Sequence, residues 1–370
     1  MIIIFLFILS VILLSGHFFL YFSLVNFLNI VSPNVRLWVG GIFFFLSFSF
    51  VLSSVLAHYS EGLLARLFYS VFSFWLGVGW NLTMAFLVSW LIVGLTRIGG
   101  FNFDYKYLVI GSIIFAILFS IWGAWNAYNP KVKNVTVGIK NLPVEWENKK
   151  IIQLSDVHLG HIYGEKFITQ IVDKVNQEKP DLVFITGDLF DGMDGELEYL
   201  VNPLKDINAK DGIYFVTGNH ETYLGVSRAK DALKNTAIRT LEDEMVDLDG
   251  VQIIGISYPE RGAQDSLIGK FEKLKNFNSQ SPSILLYHNP SSAKEANDLG
   301  VSLQLAGHSH RGQVFPFALI TYWIYGQYHS DLTVDESFSI YTSAGTGTWG
   351  PMMRTSGRSE ITVLKLENRD

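Results

Sequence analysis

Cysteine is absent from the 370 residues. That excludes disulfides, thiolate metal sites and a cysteine nucleophile, so a metal site has to be built from oxygen and imidazole donors. The absence suits either side of a membrane and fixes no compartment. Charge is also scarce: Asp, Glu, Lys and Arg make up 17% of the chain, with a net charge of -6. A mildly acidic chain carries no basic footprint, so nucleic acid is not an expected partner. The shortage is uneven. Before Lys131 the charged residues are Arg36, Glu61, Arg66, Arg97, Asp104 and Lys106. From Lys131 onward the composition is that of a soluble domain. Residues 1–130 and 131–370 therefore read as separate regions, joined at Asn129-Pro130, without repeats or a low-complexity linker.

A helix crosses the hydrocarbon core with about 20 apolar residues. Four stretches qualify: Ile2 to Phe27, Leu37 to Ala57, Leu67 to Leu95 and Tyr107 to Tyr128. Trp38, Trp90, Trp122, Trp125 and Tyr128 lie near their expected ends, where amphipathic rings favour the interface. The first stretch is long and has no basic residue before it, so it reads as a retained anchor, not a signal peptide. Gly77, Gly79, Asn81 and Thr83 in the third stretch suggest helix packing. The region shows no buried charge pairs that would suggest a transporter or proton relay. Four crossings place both termini on one side, and the thin excess of basic residues beside that side leans toward a cytoplasmic C-terminal domain.

Beyond Lys131 short apolar runs alternate with amphipathic ones. Expected strands are Asn134–Lys140, Lys150–Leu154, Asp181–Thr186, Gly212–Thr217, Val251–Ser257, Ile284–Tyr287, Ser302–Leu305, Phe338–Thr342 and Ile361–Leu366. Expected helices are Glu165–Glu178 and Glu196–Ile207. This alternation predicts a layered α/β domain with its helices outside. Polar clusters follow five of the strands: Ser155-Asp156-Val157-His158, Gly187-Asp188-Leu189-Phe190-Asp191, Gly218-Asn219-His220-Glu221, Tyr287-His288-Asn289 and Gly307-His308-Ser309-His310. Ligands of α/β sheets bind outside the carboxyl ends of strands. One rim thus gathers Asp156, His158, Asp188, Asn219, His288, His308 and His310. Carboxylate, amide oxygen and imidazole without sulfur suit manganese, iron or zinc. Asp188, with two carboxylate oxygens, can bridge two cations. Gly187, Gly218 and Gly307 are expected to let the backbone bend where each strand ends.

In this order the motifs resemble the calcineurin-like metallophosphoesterase family, over roughly residues 150 to 345, with every ligand position present. Leu159-Gly160 and Gly345-Thr346-Gly347 are similar to its membrane-associated bacterial branch, in which a fused multi-helix anchor also occurs. Arg311 departs from the pattern, because related sequences often carry glycine there. The resemblance implies a β-sandwich flanked by helices and two divalent metal ions, manganese first among the choices. One would be held by Asp156, His158, Asp188 and His310, the other by Asp188, Asn219, His288 and His308. It further implies hydrolysis of a phosphate ester, with Asp188 between the metals. His220 is assigned to stabilise the pentavalent state or protonate the leaving oxygen, and Asp191 to orient a ligand. Arg311 and Arg354 are candidate phosphate contacts, since the guanidinium fork matches phosphate oxygens.

The leading expectation is cleavage of a phosphodiester or pyrophosphate bond in a phosphate-ester substrate, including a lipid-linked one. Branch members act on UDP-2,3-diacylglucosamine. Alternatives are a phosphomonoesterase or phosphoprotein phosphatase, and a non-catalytic membrane scaffold with a vestigial site. The apolar stretch Phe315–Tyr328, too short to span, either lies on the bilayer or packs internally. Nothing in the sequence sets the oligomeric state.

Overall fold

A computed structural model describes residues 2–60, 62–101, 104–193, 195–260 and 266–369, the first few by backbone alone. Glu61, one of the charges separating the apolar stretches, lies outside the described residues. The chain divides into two compact units, one running to Trp125 with Gly350–Met353, the other comprising Asn126–Trp349 and Arg354 onward.

The first unit contains α1 (Ile2–Phe27), α2 (Pro33–Tyr59), α3 (Leu63–Ile98) and α4 (Lys106–Tyr128). All four are long and apolar enough to cross a membrane. The helices outrun the charge-free stretches because a terminal arginine such as the exposed Arg97 can keep its head in water while its stem follows the helix. α3 buries a stripe of small and polar residues, among them Ser73, Gly77, Gly79, Asn81 and Ser89. Apolar helices gain nothing from excluding water inside a membrane, so close backbones and interhelical hydrogen bonds hold them. Asn81 Nδ2 donates to Ser120 Oγ at 2.9 Å, and the hydroxyls of Ser89 and Ser112 lie 2.9 Å apart. Ser73 accepts from the Met352 amide at 3.1 Å, and Met353 packs where a side chain at Gly77 would stand. Trp90, expected at an end, turns inward and donates from Nε1 to Ser23 Oγ at 2.9 Å.

The second unit is a sandwich of two six-stranded sheets. One contains β1 (Lys131–Ile139), β2 (Lys150–Leu154), β3 (Leu182–Thr186), β4 (Gly212–Val216), β5 (Ile238–Thr240) and β12 (Glu360–Asn368), in the spatial order β1-β12-β2-β3-β4-β5. The other contains β6 (Glu244–Leu248), β7 (Val251–Gly255), β8 (Ser283–Leu286), β9 (Leu303–Ala306), β10 (Asp331–Asp335) and β11 (Phe338–Thr342), in the order β10-β11-β9-β8-β7-β6. The central pairings β2–β3, β3–β4, β7–β8, β8–β9 and β9–β11 are parallel. Parallel strands need cover on both faces, which explains their nearly unbroken apolar sequences.

Alternation along each strand sorts the core into layers. Ile151, Leu182 and Phe184 meet Ile253, Ile284 and Leu305 between the sheets. Ile152, Leu154, Val183 and Ile185 face outward onto α5 (Glu165–Glu178), whose Phe167, Ile168, Ile171, Val172 and Val175 form one buried stripe. On the far side Leu285, Tyr287 and Ile340 pack against helical residues including Leu267, Phe271 and Ala293.

The remaining helices are α6 (Glu198–Val201), α7 (Asn219–Leu224), α8 (Val226–Leu233), α9 (Leu267–Phe271), α10 (Ala293–Asp298) and α11 (Ala318–Tyr325). The expected helix Glu196–Ile207 is instead α6 followed by a 3-10 turn at Asn202–Asp206. Pro203 is the physical reason, since it supplies no amide hydrogen and crowds the preceding turn.

Candidate metal centre

The loops leaving β2, β3, β4, β8 and β9 meet above one end of the sandwich. Gln153, the penultimate residue of β2, donates to Thr186 Oγ1 and to Ala306 O, both at 2.9 Å, and so ties the ends of β3 and β9 together. Above this brace Asp156, His158, Asp188, Asn219, His288, His308 and His310 converge; all are buried except His308 and His310, which are partly open.

Three groups of side chains present ligand atoms within 4.8 Å of one another: Asp156, His158 and His310; Asp188, His288 and His308; and His158, Asp191 and His220. In the first, His310 Nε2 lies 3.2 Å from Asp156 Oδ1 and 3.1 Å from His158 Nε2. In the second, His288 Nε2 stands 3.1 Å from Asp188 Oδ2. The same Asp188 oxygen is 4.0 Å from His158 Nε2, so this carboxylate lies between the two groups.

The backbone sets these positions. Asp156, His158, Asp188, His308 and His310 all have positive φ, between 49 and 69°. Gly187 has φ 90°, as the sequence led one to expect of a bend, and a Cβ there would sit 2.6 Å from His288 Nδ1. Gly218 does not bend in that sense, with φ -107° and ψ -170°. Its reason is space: a Cβ would collide with the carboxylate and amide of Asp188.

Burial and charge then tune the donors. His288 gives its Nδ1 proton to Thr186 O at 2.7 Å, which turns Nε2 toward the carboxylates. Burial opposes charge on this ring, but Asp188 and Asp156 overcome it and push His288 up to about 10. His308 goes the other way, down to about 4, through burial and the neighbouring His288. His310 is held well below its usual value by burial, by His158 and by Arg354. Glu221 lies beneath the site and accepts from the amides of Asp188, Phe190 and Gly218 at 2.9, 3.0 and 2.7 Å. Burial and the charge of Asp188 raise it to about 7.

The donor set fits divalent cations. Asn219 Oδ1 is buried without a hydrogen-bond partner, and His288 Nε2 and His158 Nδ1 are buried with only carboxylate oxygens beside them, the nearest from Asp188 and Asp191 at 3.1 and 3.6 Å; donors left this way require an explanation. Two of them, His288 Nε2 and Asn219 Oδ1, belong to the donor set expected around the second cation. The high value of His288 has the same meaning: the carboxylates hold a positive charge there, which a cation would supply instead.

The other sequence candidates fall at different depths. His220 is buried, with Nδ1 donating to Asp191 O at 2.7 Å and its ring 4.6 Å from that of His158. The Asp191 carboxylate is 3.6 Å from His158 Nδ1, in reach of a ligand ring. Arg311 is partly exposed and pairs with Asp331 at 3.1 Å. Arg354 corrects the expectation of a phosphate contact. It is 1% exposed, donates to Gly347 O at 2.7 Å and His310 O at 3.0 Å, and places Nη2 3.2 Å behind His310 Nδ1. Its positive charge braces a ligand and does not meet solvent.

Aromatic side chains that the motifs did not indicate ring the site. Tyr223 and Trp349 face His220 at 5.3 and 5.8 Å. Tyr258 and Tyr325 face His308 at 6.0 and 6.2 Å. Tyr258 follows the end of β7 and was accessible to the strand-end argument; Trp349 and Tyr325 had no such signal.

A sandwich with this rim fits a metallophosphoesterase. Residues 149–312 match the family model described as calcineurin-like phosphoesterase. The chain is 34% identical over 264 residues to an uncharacterized metallophosphoesterase of Campylobacter jejuni, covering 70% of this chain and 69% of that one. It is 31% identical over 261 residues to an uncharacterized metallophosphoesterase of Aquifex aeolicus, covering 69% of this chain and 98% of that one. A transmembrane protein with metallophosphoesterase domain from Danio rerio is 31% identical over 283 residues, or 71% of this chain and 63% of that one. The chain belongs to the calcineurin-like metallophosphoesterase family, and it is a membrane-associated member.

Proposed function

We propose that the chain hydrolyses a phosphodiester or pyrophosphate bond with the help of two divalent cations, manganese first among manganese, iron and zinc. The convergence of seven donors on one rim, with Asn219 Oδ1 buried and unpartnered and His288 Nε2 facing only carboxylates, carries this reading. Asp156, His158, Asp188 and His310 would hold one cation, and Asp188, Asn219, His288 and His308 the other. Bound there, the cations supply Lewis acidity toward phosphoryl oxygen and make hydroxide available near neutral pH. The chain's own residues do the rest. His220 keeps its proton on Nδ1 through Asp191, which leaves a lone pair on Nε2. Burial holds this ring below its usual value, so near neutral pH its Nε2 can take the proton that the attacking water gives up, and that proton goes on to the leaving oxygen.

A diester is favoured over a monoester by the fate of the two arginines. A monoester dianion calls for extra cationic cover, yet Arg311 is engaged with Asp331 and Arg354 is buried under His310. The apolar rim and the membrane association favour a lipid-linked substrate, of which a UDP-diacylglucosamine is one chemical example. We place the domain on the cytoplasmic side of a bacterial membrane, following the basic residues that flank the helices.

The test uses the full chain in detergent, stripped of metal and assayed on bis-p-nitrophenyl phosphate and p-nitrophenyl phosphate with and without Mn²⁺. Diester turnover that requires metal and disappears in Asp188→Ala is expected. A folded chain that binds divalent metal but turns over neither ester would leave the scaffold reading standing. Protease access to the domain in intact cells, from outside, would reverse the orientation.

A further inference from the structure

α11 is a helix without an inside. Its sequence, Ala-Leu-Ile-Thr-Tyr-Trp-Ile-Tyr, has no buried residue. Trp323 is 85% exposed and Leu319 71%, and Phe315, Ile320, Tyr322 and Ile324 are exposed as well. Of the stretch Phe315–Tyr328, Tyr328 packs against the core, while the helix itself is left largely uncovered. No charged residue occurs from Val314 to Tyr328. Soluble proteins rarely leave an apolar patch of this kind in water.

Ala318, Thr321 and Tyr325, at helical spacing, form a half-buried face, and Leu319, Ile320, Tyr322, Trp323 and Ile324 leave the rest of the circumference, an arc of about 200°, exposed. On a chain with four candidate membrane spans, an arc that wide fits immersion in lipid. Eight residues rise only about 12 Å, too little to span but enough to lie in the interface. Tryptophan and tyrosine beside leucine and isoleucine are the side chains that interface favours. β1, the first strand of the unit that carries α11, follows α4 after only two residues, since α4 closes at Tyr128 and β1 opens at Lys131. The domain is thus joined to a candidate membrane span by a very short linker.

α11 is also fastened to the metal rim. Tyr325, its last residue, faces the ring of His308 at 6.2 Å. Ser309, between the ligands His308 and His310, donates to His329 O at 2.6 Å just beyond the helix.

We propose that α11 beds into the lipid interface, and that the phosphate of a bilayer-held amphiphile reaches the metal site along it. The second clause rests on the phosphoesterase reading; the first stands without it. Because the chain has no cysteine, single labels are clean. Ile320→Cys and Trp323→Cys, with the exposed Lys294→Cys as control, would carry a nitrobenzoxadiazole dye in the full chain at one copy per phosphatidylcholine nanodisc. Doxyl lipids are expected to quench positions 320 and 323 strongly and position 294 little. Labels at 320 and 323 that iodide quenches and doxyl lipid does not would overturn the insertion. So would shielding that appears only with two copies per disc, which would make a second copy the occupant. In the activity arm, Ile320→Asp with Trp323→Asp should slow cleavage of a long-chain nitrophenyl phosphodiester held in the disc by about tenfold or more, leaving bis-p-nitrophenyl phosphate turnover unchanged. Equal loss on both substrates would overturn the delivery role. If the unaltered chain cleaves neither substrate, the phosphoesterase reading fails while the quenching result still decides the insertion.

Discussion

Asp156, His158, Asp188, His308 and His310 all occupy the left-handed backbone region, which costs a non-glycine residue about 1 kcal/mol or more. Five such residues in one site persist only because their surroundings hold them. Glu221 is part of that hold, accepting three backbone amides of the ligand loops. Glu221→Ala should orphan those amides and destabilise the fold by about 2–4 kcal/mol, read by urea unfolding; a loss below about 0.5 kcal/mol would remove Glu221 from this role. Gly218→Ala is expected to leave the secondary structure intact by circular dichroism while abolishing divalent-metal binding, because the new methyl displaces Asp188. Unchanged metal affinity in that variant would show that the Asp188 carboxylate can move aside. Arg354 was legible in the sequence only as a charge. Its place behind His310 follows from the turn of the chain at 345–354, which no spacing rule describes.

Among the elements, Gln153 is a polar side chain buried in an otherwise apolar strand, where it binds Thr186 and the carbonyl of Ala306. Gln153→Leu should cost about 1–3 kcal/mol by leaving those groups unmatched, and should weaken metal binding as well, since β3 and β9 carry ligands on their loops. A variant that loses stability but keeps its metal affinity would make the brace structural only. Sequence periodicity revealed the interior strands and one edge strand, β1, whose positions alternate between open and more buried. The three it missed, β5, β6 and β10, all lie at sheet edges. An edge strand buries one side of its ladder at most and carries charges that deter further pairing, as Arg239, Asp247, Asp331 and Asp335 do here. The apolar signal that identifies a strand is therefore weakest there.

At the scale of the molecule, metal, proton and fold are linked. A cation needs the neutral ring of His288, which without metal keeps its proton up to about 10. Each cation bound there should release that proton, so apparent affinity should rise with pH, by up to tenfold per unit below about pH 10. Calorimetry in buffers of different ionisation enthalpy counts the protons, and a count near zero would contradict the linkage. In the metal-free chain the sign is reversed. Protonated His288 stabilises the fold fully below its ordinary value of 6.5, and that contribution is lost as pH rises toward 10. The convergence of the seven donors, the layered fold and the four apolar helices were open to sequence reasoning because each repeats a local rule: strand-end placement, period-two burial and span length. The aromatic rim and the exposed α11 depend on which side chains remain uncovered after folding, and only the assembled chain fixes that.

The spatial order β1-β12-β2 carries one more consequence. β12, which follows all the other strands in sequence, lies between the first two strands of the domain and pairs with β1 along all nine residues, from Lys131 with Glu360 to Ile139 with Asn368. During synthesis those two early strands emerge with a vacant slot between them. Sheet closure must therefore wait for β12 to be made, long after the helices ahead of the domain. A nascent chain stalled before Glu360 would present two unpaired strand edges beside a membrane, and a quality-control protease would meet it in that state.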